Sequence, residues 1–156
     1  MRIILHPNSI LRKKTADIDL ARMDRKKLRK LAMDMIKTMY RAEGVGLAAP
    51  QVGESIRLCV IRKKTSSRYK EMRLNLKDDL ILVNPHIITR SPETDTIEEG
   101  CLSIPNVLVP ITRPVWVKLR VFTIEGKQRE FEARNFFARV VQHELDHLDG
   151  VLIIDK

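Results

Sequence analysis

The chain has 156 residues, of which 44% are hydrophobic and 31% charged, and its formal net charge at pH 7 is +9. This length and apolar content predict one compact domain spanning residues 1–156. The sequence has no run of 18 apolar residues and no charged leader with a cleavage site, so we expect neither a membrane span nor a secretory signal. Two separated cysteines favour a reducing compartment, which predicts a cytoplasmic location.

Two helices are predicted, one near each end of the chain. The first lies between Asp24, which can cap it, and Gly44, because apolar residues recur there at helical spacing. The second is predicted to be capped by Asn135 and to end at Gly150. It carries an apolar stripe that we expect to pack on a sheet, formed by Phe137, Val141, Leu145 and Leu148.

Loops and strands are predicted between the two helices. The segment from Gly44 to Gln51 predicts a loop, since two glycines and a proline would interrupt a regular element. Strands are predicted at residues 56–62, 80–83 and 115–122, with an exposed loop at 66–70. The predicted fold class is α+β, with mixed or antiparallel sheets packed around a central helix that carries the motif described next.

The most informative feature of the sequence is His143-Glu144-Leu145-Asp146-His147, an HExxH motif. In a helix, His143 and His147 lie one turn apart on the same face, so that both imidazoles can bind one metal ion. Glu144 lies about 100° further around the helix. From there it can act as a general base on a bound water without binding the metal. The motif therefore predicts a hydrolytic metal centre.

A catalytic centre of this kind usually has a third protein ligand. The chain after the motif does not complete the metzincin pattern, so we expect the third ligand upstream. Cys59 lies in a predicted buried strand, and His6 and His86 lie beside prolines in surface or turn settings. Cys101 lies in a polar, turn-forming segment where its thiolate can face a cleft, and it is the predicted third ligand.

Three motifs of the chain resemble the signature motifs of peptide deformylases, and they occur in the order found in that family. They are Gly44-Val45-Gly46-Leu47-Ala48-Ala49-Pro50-Gln51, Glu99-Gly100-Cys101-Leu102-Ser103 and Gln142-His143-Glu144-Leu145-Asp146-His147. The resemblance covers nearly the whole chain. It implies a metallohydrolase that removes the N-terminal formyl group from formyl-methionyl nascent peptides and releases formate.

The resemblance also implies roles for individual residues. Cys101, His143 and His147 would bind the metal, and Glu144 would act as the general base. The side-chain amide of Gln51 and the backbone N–H of Leu102 would stabilise the oxyanion. Four further positions are expected to contact the substrate, and they are Val45, Gly46, Gly100 and Val140.

The expected cofactor is one divalent metal ion. A ligand set of one cysteine and two histidines suits both Fe(II) and Zn(II). Because peptide deformylases often use Fe(II), the resemblance implies Fe(II) as the native ion, with Zn(II) or Ni(II) as alternatives. It also implies one of three compartments, which are a bacterial cytoplasm, the cytoplasm of a phage-infected host and an organelle matrix.

The partners expected from the resemblance are formylated nascent peptides and, transiently, the ribosome. Basic clusters begin at Arg12, Arg25 and Arg62. Such clusters usually lie on the solvated surfaces of helices and loops, which is the favoured interpretation. The alternative is that they attract ribosomal RNA. The chain stops at Lys156, so we expect it to lack the C-terminal helix that relatives use for ribosome contact. Neither membrane binding nor specific DNA binding is expected.

Two other functions stay open on the sequence alone. A metal-dependent peptidase that cuts internal bonds would need a long cleft and a third ligand other than Cys101. A basic RNA-binding or ribosome-associated protein with a structural metal would show steep salt dependence and no hydrolysis. Structural zinc sites usually have four protein ligands, whereas only three are recognisable here.

Overall fold

The computed structural model of the protein describes residues 1–62 and 78–156. Within these ranges there are two α-helices, α1 (Arg25–Arg41) and α2 (Asn135–Leu148). The strands are β1 (Gly46–Ala48), β2 (Leu58–Ile61), β3 (Leu80–Arg90), β4 (Thr94–Cys101), β5 (Ile104–Pro114), β6 (Trp116–Phe122) and β7 (Gln128–Arg134). Short 3-10 helices lie at Ser9–Arg12, Ala49–Val52 and Ile153–Asp155. The predicted loop at 66–70 lies outside the described residues.

The strands form two antiparallel sheets. The larger sheet has the strand order β1-β2-β3-β6-β7, and β4 and β5 form a separate hairpin. Every pairing between these strands is antiparallel. The α+β class with antiparallel sheets is therefore confirmed. No helix in the described ranges is long and apolar enough to cross a lipid bilayer.

The two helices lie on opposite faces of the larger sheet, as strand β2 shows. Leu58 and Val60 belong to the apolar cluster that includes the buried side of α1. Their neighbours Cys59 and Ile61 belong to the cluster that includes α2. Successive side chains of a strand point to opposite faces, so β2 separates the two helices. The stripe predicted for the last helix is confirmed, since its residues lie in or against the α2 cluster.

The start of α1 agrees with the prediction. Asp24 is the N-cap, and its side-chain oxygen accepts hydrogen bonds from the backbone N–H groups of Lys26 and Lys27 at 2.8 and 3.2 Å. These bonds satisfy two of the donors that a helix leaves unpaired at its N-terminus. The helix then ends at Arg41, before Gly44.

The loop predicted from Gly44 to Gln51 is wrong in part. Strand β1 occupies its middle and pairs with β2, with Gly46 opposite Ile61 and Ala48 opposite Cys59. A 3-10 helix follows immediately. All three residues of β1 are buried, so this short strand has no alternation of polar and apolar residues that could reveal it.

Strands β4, β5 and β7 were not predicted, and β3 is longer than predicted. The hairpin of β4 and β5 lies apart from the larger sheet, and much of it is exposed, so its sequence lacks a regular apolar face. Strand β7 is the edge of the larger sheet and is rich in charged residues, which are typical of protected edges. Pairing across the sheet outweighs the weak local signal in each case.

The prediction that Asn135 caps α2 is wrong. The helix begins at Asn135, its N-cap is Arg134, and no side-chain hydrogen bond caps it. Asn135 has a φ of 53°, in the left-handed region that asparagine tolerates. Its backbone N–H donates to the carbonyl oxygen of Val115 at 2.7 Å, so that the sheet holds the start of the helix.

Gly150 follows the C-cap of α2 and ends the helix as predicted. Its φ is 75°, and a Cβ built on it would lie 2.5 Å from the carbonyl oxygen of Arg12. We expect Gly150→Ala to lower the free energy of unfolding by about 2–3 kcal/mol, through the left-handed conformation and this backbone contact. Urea unfolding measures the change.

Gly126→Ala is the matched control for this prediction. Gly126 has a similar φ of 82°, but the nearest atom to its Cβ would be the flexible Arg25 side chain at 3.4 Å. We expect the free energy of unfolding of the control to fall by only about 1 kcal/mol. If Gly150→Ala and Gly126→Ala lower the free energy of unfolding equally, the close approach to the carbonyl oxygen of Arg12 does not contribute to the loss.

Candidate metal centre

The side chains of Cys101, His143 and His147 meet at one point. The Sγ atom of Cys101 lies 3.2 Å from Nε2 of His147, and one ligand atom from each of the three residues lies within 4.8 Å of the others. In a tetrahedral site with bonds of about 2.0–2.3 Å, ligand atoms are roughly 3.3–3.8 Å apart. The three residues therefore fit one divalent cation.

Two different elements supply these ligands. Both histidines lie on α2, one turn apart, with their ring centroids 5.0 Å apart. Cys101 is the last residue of β4, where the pairing with β5 shifts register. Burial lowers the pKa of His147 well below its usual value, and the neutral imidazole it favours is the form that binds a metal.

The remaining candidate ligands lie elsewhere, as the sequence indicated. Cys59 is fully buried in β2, and His6 and His86 are exposed. His86 contacts Asp17 through its Nε2 atom at 2.9 Å. Among residues 1–62 and 78–156, Cys101, His143 and His147 form the only group of three or more His, Cys, Asp or Glu side chains placed to share an ion.

Glu99 orients the imidazole ring of His143 by contacting its Nδ1 atom. Its Oε2 atom lies 2.9 Å from Nδ1 of His143. When Nδ1 donates a proton to this carboxylate, Nε2 is left free to bind a metal. Burial would raise the pKa of Glu99, but hydrogen bonds from Arg113 and His143 hold it well below its usual value. Glu99 is therefore a carboxylate at neutral pH.

Two buried arginines hold Glu99 in place. Arg113 donates to both carboxylate oxygens at 2.5 and 2.9 Å, and Arg139 donates to Oε1 at 2.7 Å. Arg113 also donates to Asp146 at 2.8 Å, which ties this group of charges to the HExxH motif. Charged side chains at such depth require partners of opposite sign, and here each one has them.

Glu144 lies beside the ligand group but is not part of it. It is 3% exposed, and its Oε2 atom has no hydrogen-bond partner among the described residues. Burial, opposed by His143, raises the pKa of Glu144 to about 7. A carboxyl group with this pKa can accept and return a proton near neutral pH.

Gly46 makes room for Glu144. A Cβ atom at Gly46 would lie 2.2 Å from Oε1, 2.7 Å from Cδ and 2.9 Å from Cγ of Glu144. These separations are far below van der Waals contact. Any side chain at position 46 would displace the Glu144 carboxyl group.

Gln51 faces the ligand group from the 3-10 helix after β1. Its Oε1 atom accepts from the backbone N–H of Ala48 at 2.8 Å. Its Nε2 atom donates to Ser103 Oγ at 3.1 Å and lies 3.7 Å from Cys101 Sγ. The side-chain amide is thus fixed next to Cys101 before any substrate binds. Leu102 follows Cys101 in the turn of the hairpin.

The predicted substrate-contact residues lie in different surroundings. Val140 is buried on α2, and Val45 packs against the same apolar cluster. Gly46 lies against Glu144, as described above. Gly100 pairs with Leu108 of β5, and a Cβ at Gly100 would meet the Leu108 side chain at 3.2 Å.

The sequence analysis gave no role to Arg113, none to Glu99 although it begins the second signature motif, and it did not foresee that Arg139 pairs with Glu99. One signal was available for Glu99, because residues two apart in a strand share a face and Glu99 precedes Cys101 by two. The arginines gave no such signal. They come from β5 and α2 and meet Glu99 only in the folded chain.

The fold and this site are those expected of a mononuclear metallohydrolase, because two imidazoles, a cysteine sulfur and a buried carboxyl group meet at one centre. The sequence profile described as "Polypeptide deformylase" matches residues 1–156. The chain therefore belongs to the polypeptide deformylase family. Enzymes of this family are metallohydrolases that remove the N-terminal formyl group from nascent peptides, and this chain is such an enzyme.

Individual relatives support the same assignment. The peptide deformylase of Brucella suis is 43% identical over 153 residues, which is 98% of this chain and 82% of that protein. Among solved structures, the class I type b peptide deformylase of Acinetobacter baumannii with Met-Ala-Ser bound has a TM-score of 0.93 at 34% identity, covering 99% of this chain and 96% of that one. The Thermotoga maritima peptide deformylase has a TM-score of 0.86 at 38% identity, covering 99% and 95%.

Proposed function

We propose that the enzyme releases formate from formyl-methionyl peptides at one divalent cation held by Cys101, His143 and His147. The observation that carries this proposal is the buried carboxyl group of Glu144, whose Oε2 atom has no hydrogen-bond partner among the described residues and which follows His143 in the sequence. A cation bound there would supply Lewis acidity toward the formyl oxygen and make a water acidic. We propose that α2 is the central scaffold of a single catalytic domain.

Glu144 acts in this proposal as general base and then as general acid. It takes a proton from the attacking water and returns it to the amine that leaves. Its pKa of about 7 suits both steps at neutral pH. The space left by Gly46 lets the carboxyl group take up this position.

The developing oxyanion is stabilised by two donors in this proposal. One is the Gln51 amide, which Ala48 and Ser103 already hold in place. The other is the backbone N–H of Leu102. Donors that are oriented in advance cost little reorganisation, and each contributes about 2.7–4 kcal/mol to the transition state in comparable enzymes.

The methionine side chain is proposed to pack against Val45 and Val140. Both residues belong to or contact one apolar cluster, and α2 brings Val140 close to His143. The backbone at Gly46 and Gly100 would lie along the peptide. Support comes from the Acinetobacter baumannii relative, whose structure contains Met-Ala-Ser, a peptide that begins with methionine.

We propose Fe(II) as the native ion because peptide deformylases often use it, with Zn(II) and Ni(II) as functional alternatives. A thiolate and two imidazoles suit all three on ligand type. The proposed site of action is a bacterial cytoplasm, the cytoplasm of a phage-infected host or an organelle matrix, because formylated nascent peptides are made there. Transient contact with the ribosome belongs to the same proposal.

Gly46→Ala tests the position of Glu144. Because the added methyl group would displace the Glu144 carboxyl, we expect kcat/KM for formate release to fall by about 10- to 100-fold. Bound metal should stay the same, since the three atoms nearest to the added Cβ all belong to Glu144, which is outside the ligand group. Rate measurement and metal analysis on the same sample give both quantities.

Gly126→Ala is the control for this prediction. Gly126 lies outside the site, and the nearest atom to its Cβ would be at the flexible end of the Arg25 side chain, at 3.4 Å. We expect at most a threefold loss, on the order of 0.6 kcal/mol. If both variants lose activity equally, the contact with Glu144 is not what requires glycine at position 46.

The proposed function is tested by formate release from formyl-Met-Ala-Ser, with protein purified without oxygen. The rate should disappear on chelation and return with Fe(II), and also with Zn(II) or Ni(II) at rates of their own. Unformylated Met-Ala-Ser-containing peptides should stay intact by mass spectrometry. Formate release that survives removal of the metal would contradict the proposal, and cleavage of internal bonds would favour a peptidase.

A further inference from the structure

Helix α1 carries a line of positive charge on its solvent side. Lys26, Lys30, Lys37 and Arg41 are all exposed. At 100° per residue they fall within about 60° around the axis and extend over roughly 22 Å. We call these four residues the basic stripe of α1. The single acidic residue of the helix, Asp34, pairs with Lys30 at 3.2 Å and lies 4.0 Å from Lys37.

Only part of this charge is offset within the helix. The first turn of α1 contains Arg25, Lys26 and Lys27 and no acidic residue. Cations at a helix N-terminus oppose the helix dipole. Like charges four residues apart, such as Lys26 and Lys30, repel each other as well. Asp24 at the N-cap and Arg41 in the last turn favour the helix dipole, and Asp34 neutralises part of the stripe. A partner with negative charge would offset the charge that remains.

The basic stripe points away from the metal centre. The apolar side of α1 packs on one face of the larger sheet, and α2 with both histidine ligands packs on the other. A partner bound to the stripe would therefore leave the metal centre open to a peptide. In the part of the chain that the structure describes, all four side chains of the stripe are exposed.

We propose that the basic stripe of α1 binds the phosphate backbone of double-helical RNA. Stacking of unpaired bases is not favoured, because Tyr40, the one aromatic residue of α1, is half-buried, donates to Asp79 and has the Arg62 guanidinium over its ring. A lipid surface is not favoured either. A helix lying in a membrane interface needs a free apolar side, whereas α1 buries that side in the core and exposes only Met33 among its apolar residues.

The chemistry of the family adds weight to RNA as the polyanion. Nascent peptides are attached to ribosomes, whose surface is largely structured RNA, so an RNA-binding surface brings the enzyme close to its substrate. The RNA contact and the hydrolysis use different faces of the molecule. A variant can therefore lose RNA binding and keep hydrolysis, or lose hydrolysis and keep RNA binding.

The test measures binding of a labelled RNA duplex of about 20 base pairs across a series of salt concentrations. The variant is Lys26→Gln, Lys30→Gln, Lys37→Gln, which keeps good helix formers and removes three positive charges. The control is Lys13→Gln, Lys14→Gln, Arg90→Gln. These three residues are also exposed, and Lys14 and Arg90 line a cavity near the C-terminal end of α2.

We expect the α1 variant to bind the duplex at least about tenfold more weakly, with the slope of log K against log salt reduced by roughly 2–3. The control should change much less. Formate release from a free formyl peptide should be normal in both. If the two variants lose the same affinity for the duplex, net charge alone explains the binding and the proposal is overturned. Binding of the wild-type protein to anionic phosphatidylglycerol vesicles, with none to the duplex, would overturn it in favour of a membrane.

Discussion

Replacing Glu144 with glutamine is expected to lower kcat for formate release by about 10²- to 10⁴-fold. Glutamine has nearly the same shape, but it cannot accept a proton from water at neutral pH. The metal content should be unchanged, since Glu144 is not one of the three ligand residues. Steady-state kinetics and metal analysis on one preparation measure both effects.

Glu54→Gln provides the matched control, because Glu54 is an exposed carboxylate outside the site. We expect it to keep the wild-type rate. A Glu144→Gln enzyme that keeps its full rate would show that another group moves the proton. A variant that loses the metal together with the rate would show that Glu144 helps to hold the ion.

Replacing Glu99 with glutamine is expected to have the largest effect on stability. Arg113 and Arg139 are each only 3% exposed, and Glu99 is a partner of both. Removing one partner of a buried ion pair usually costs about 3–5 kcal/mol. The same substitution removes the carboxylate behind His143, which should weaken metal binding by about 10- to 100-fold.

Two measurements separate these effects of Glu99. Urea unfolding of the metal-loaded and chelated forms gives the stability, and competition with a chelator gives the metal affinity. Glu98→Gln is the control, because the neighbouring Glu98 is exposed and should change neither quantity. If Glu99→Gln lowers stability alone, Glu99 supports the fold without positioning His143.

The parts of the site that follow local rules were predictable from the sequence. The i, i+4 spacing of His143 and His147 on one helix is a property of helix geometry, and the structure places both rings as expected. The start of α1 at Asp24 also depends on neighbouring residues alone. Cys101 could be chosen because its segment differed from those of the other candidates, and it lies beside the histidines.

The parts that depend on contacts between distant segments were not predictable. Strand β1 exists because β2 pairs with it, and three buried residues carry no pattern of their own. The β4–β5 hairpin has no regular apolar face. The pairing of Arg113 and Arg139 with Glu99 joins two strands and a helix. A single sequence contains no rule that matches such charges across the fold.

The separation of the β4–β5 hairpin from the larger sheet has a mechanical consequence. Cys101 belongs to the hairpin and both histidines belong to the helix, so an ion bound by all three fastens two parts that have separate backbone hydrogen bonds. It closes a long loop of the chain, as a disulfide would. The ion would therefore join the hairpin to α2 together with the pairs of Glu99 with Arg139 and of Arg113 with Asp146, and its removal would weaken that attachment.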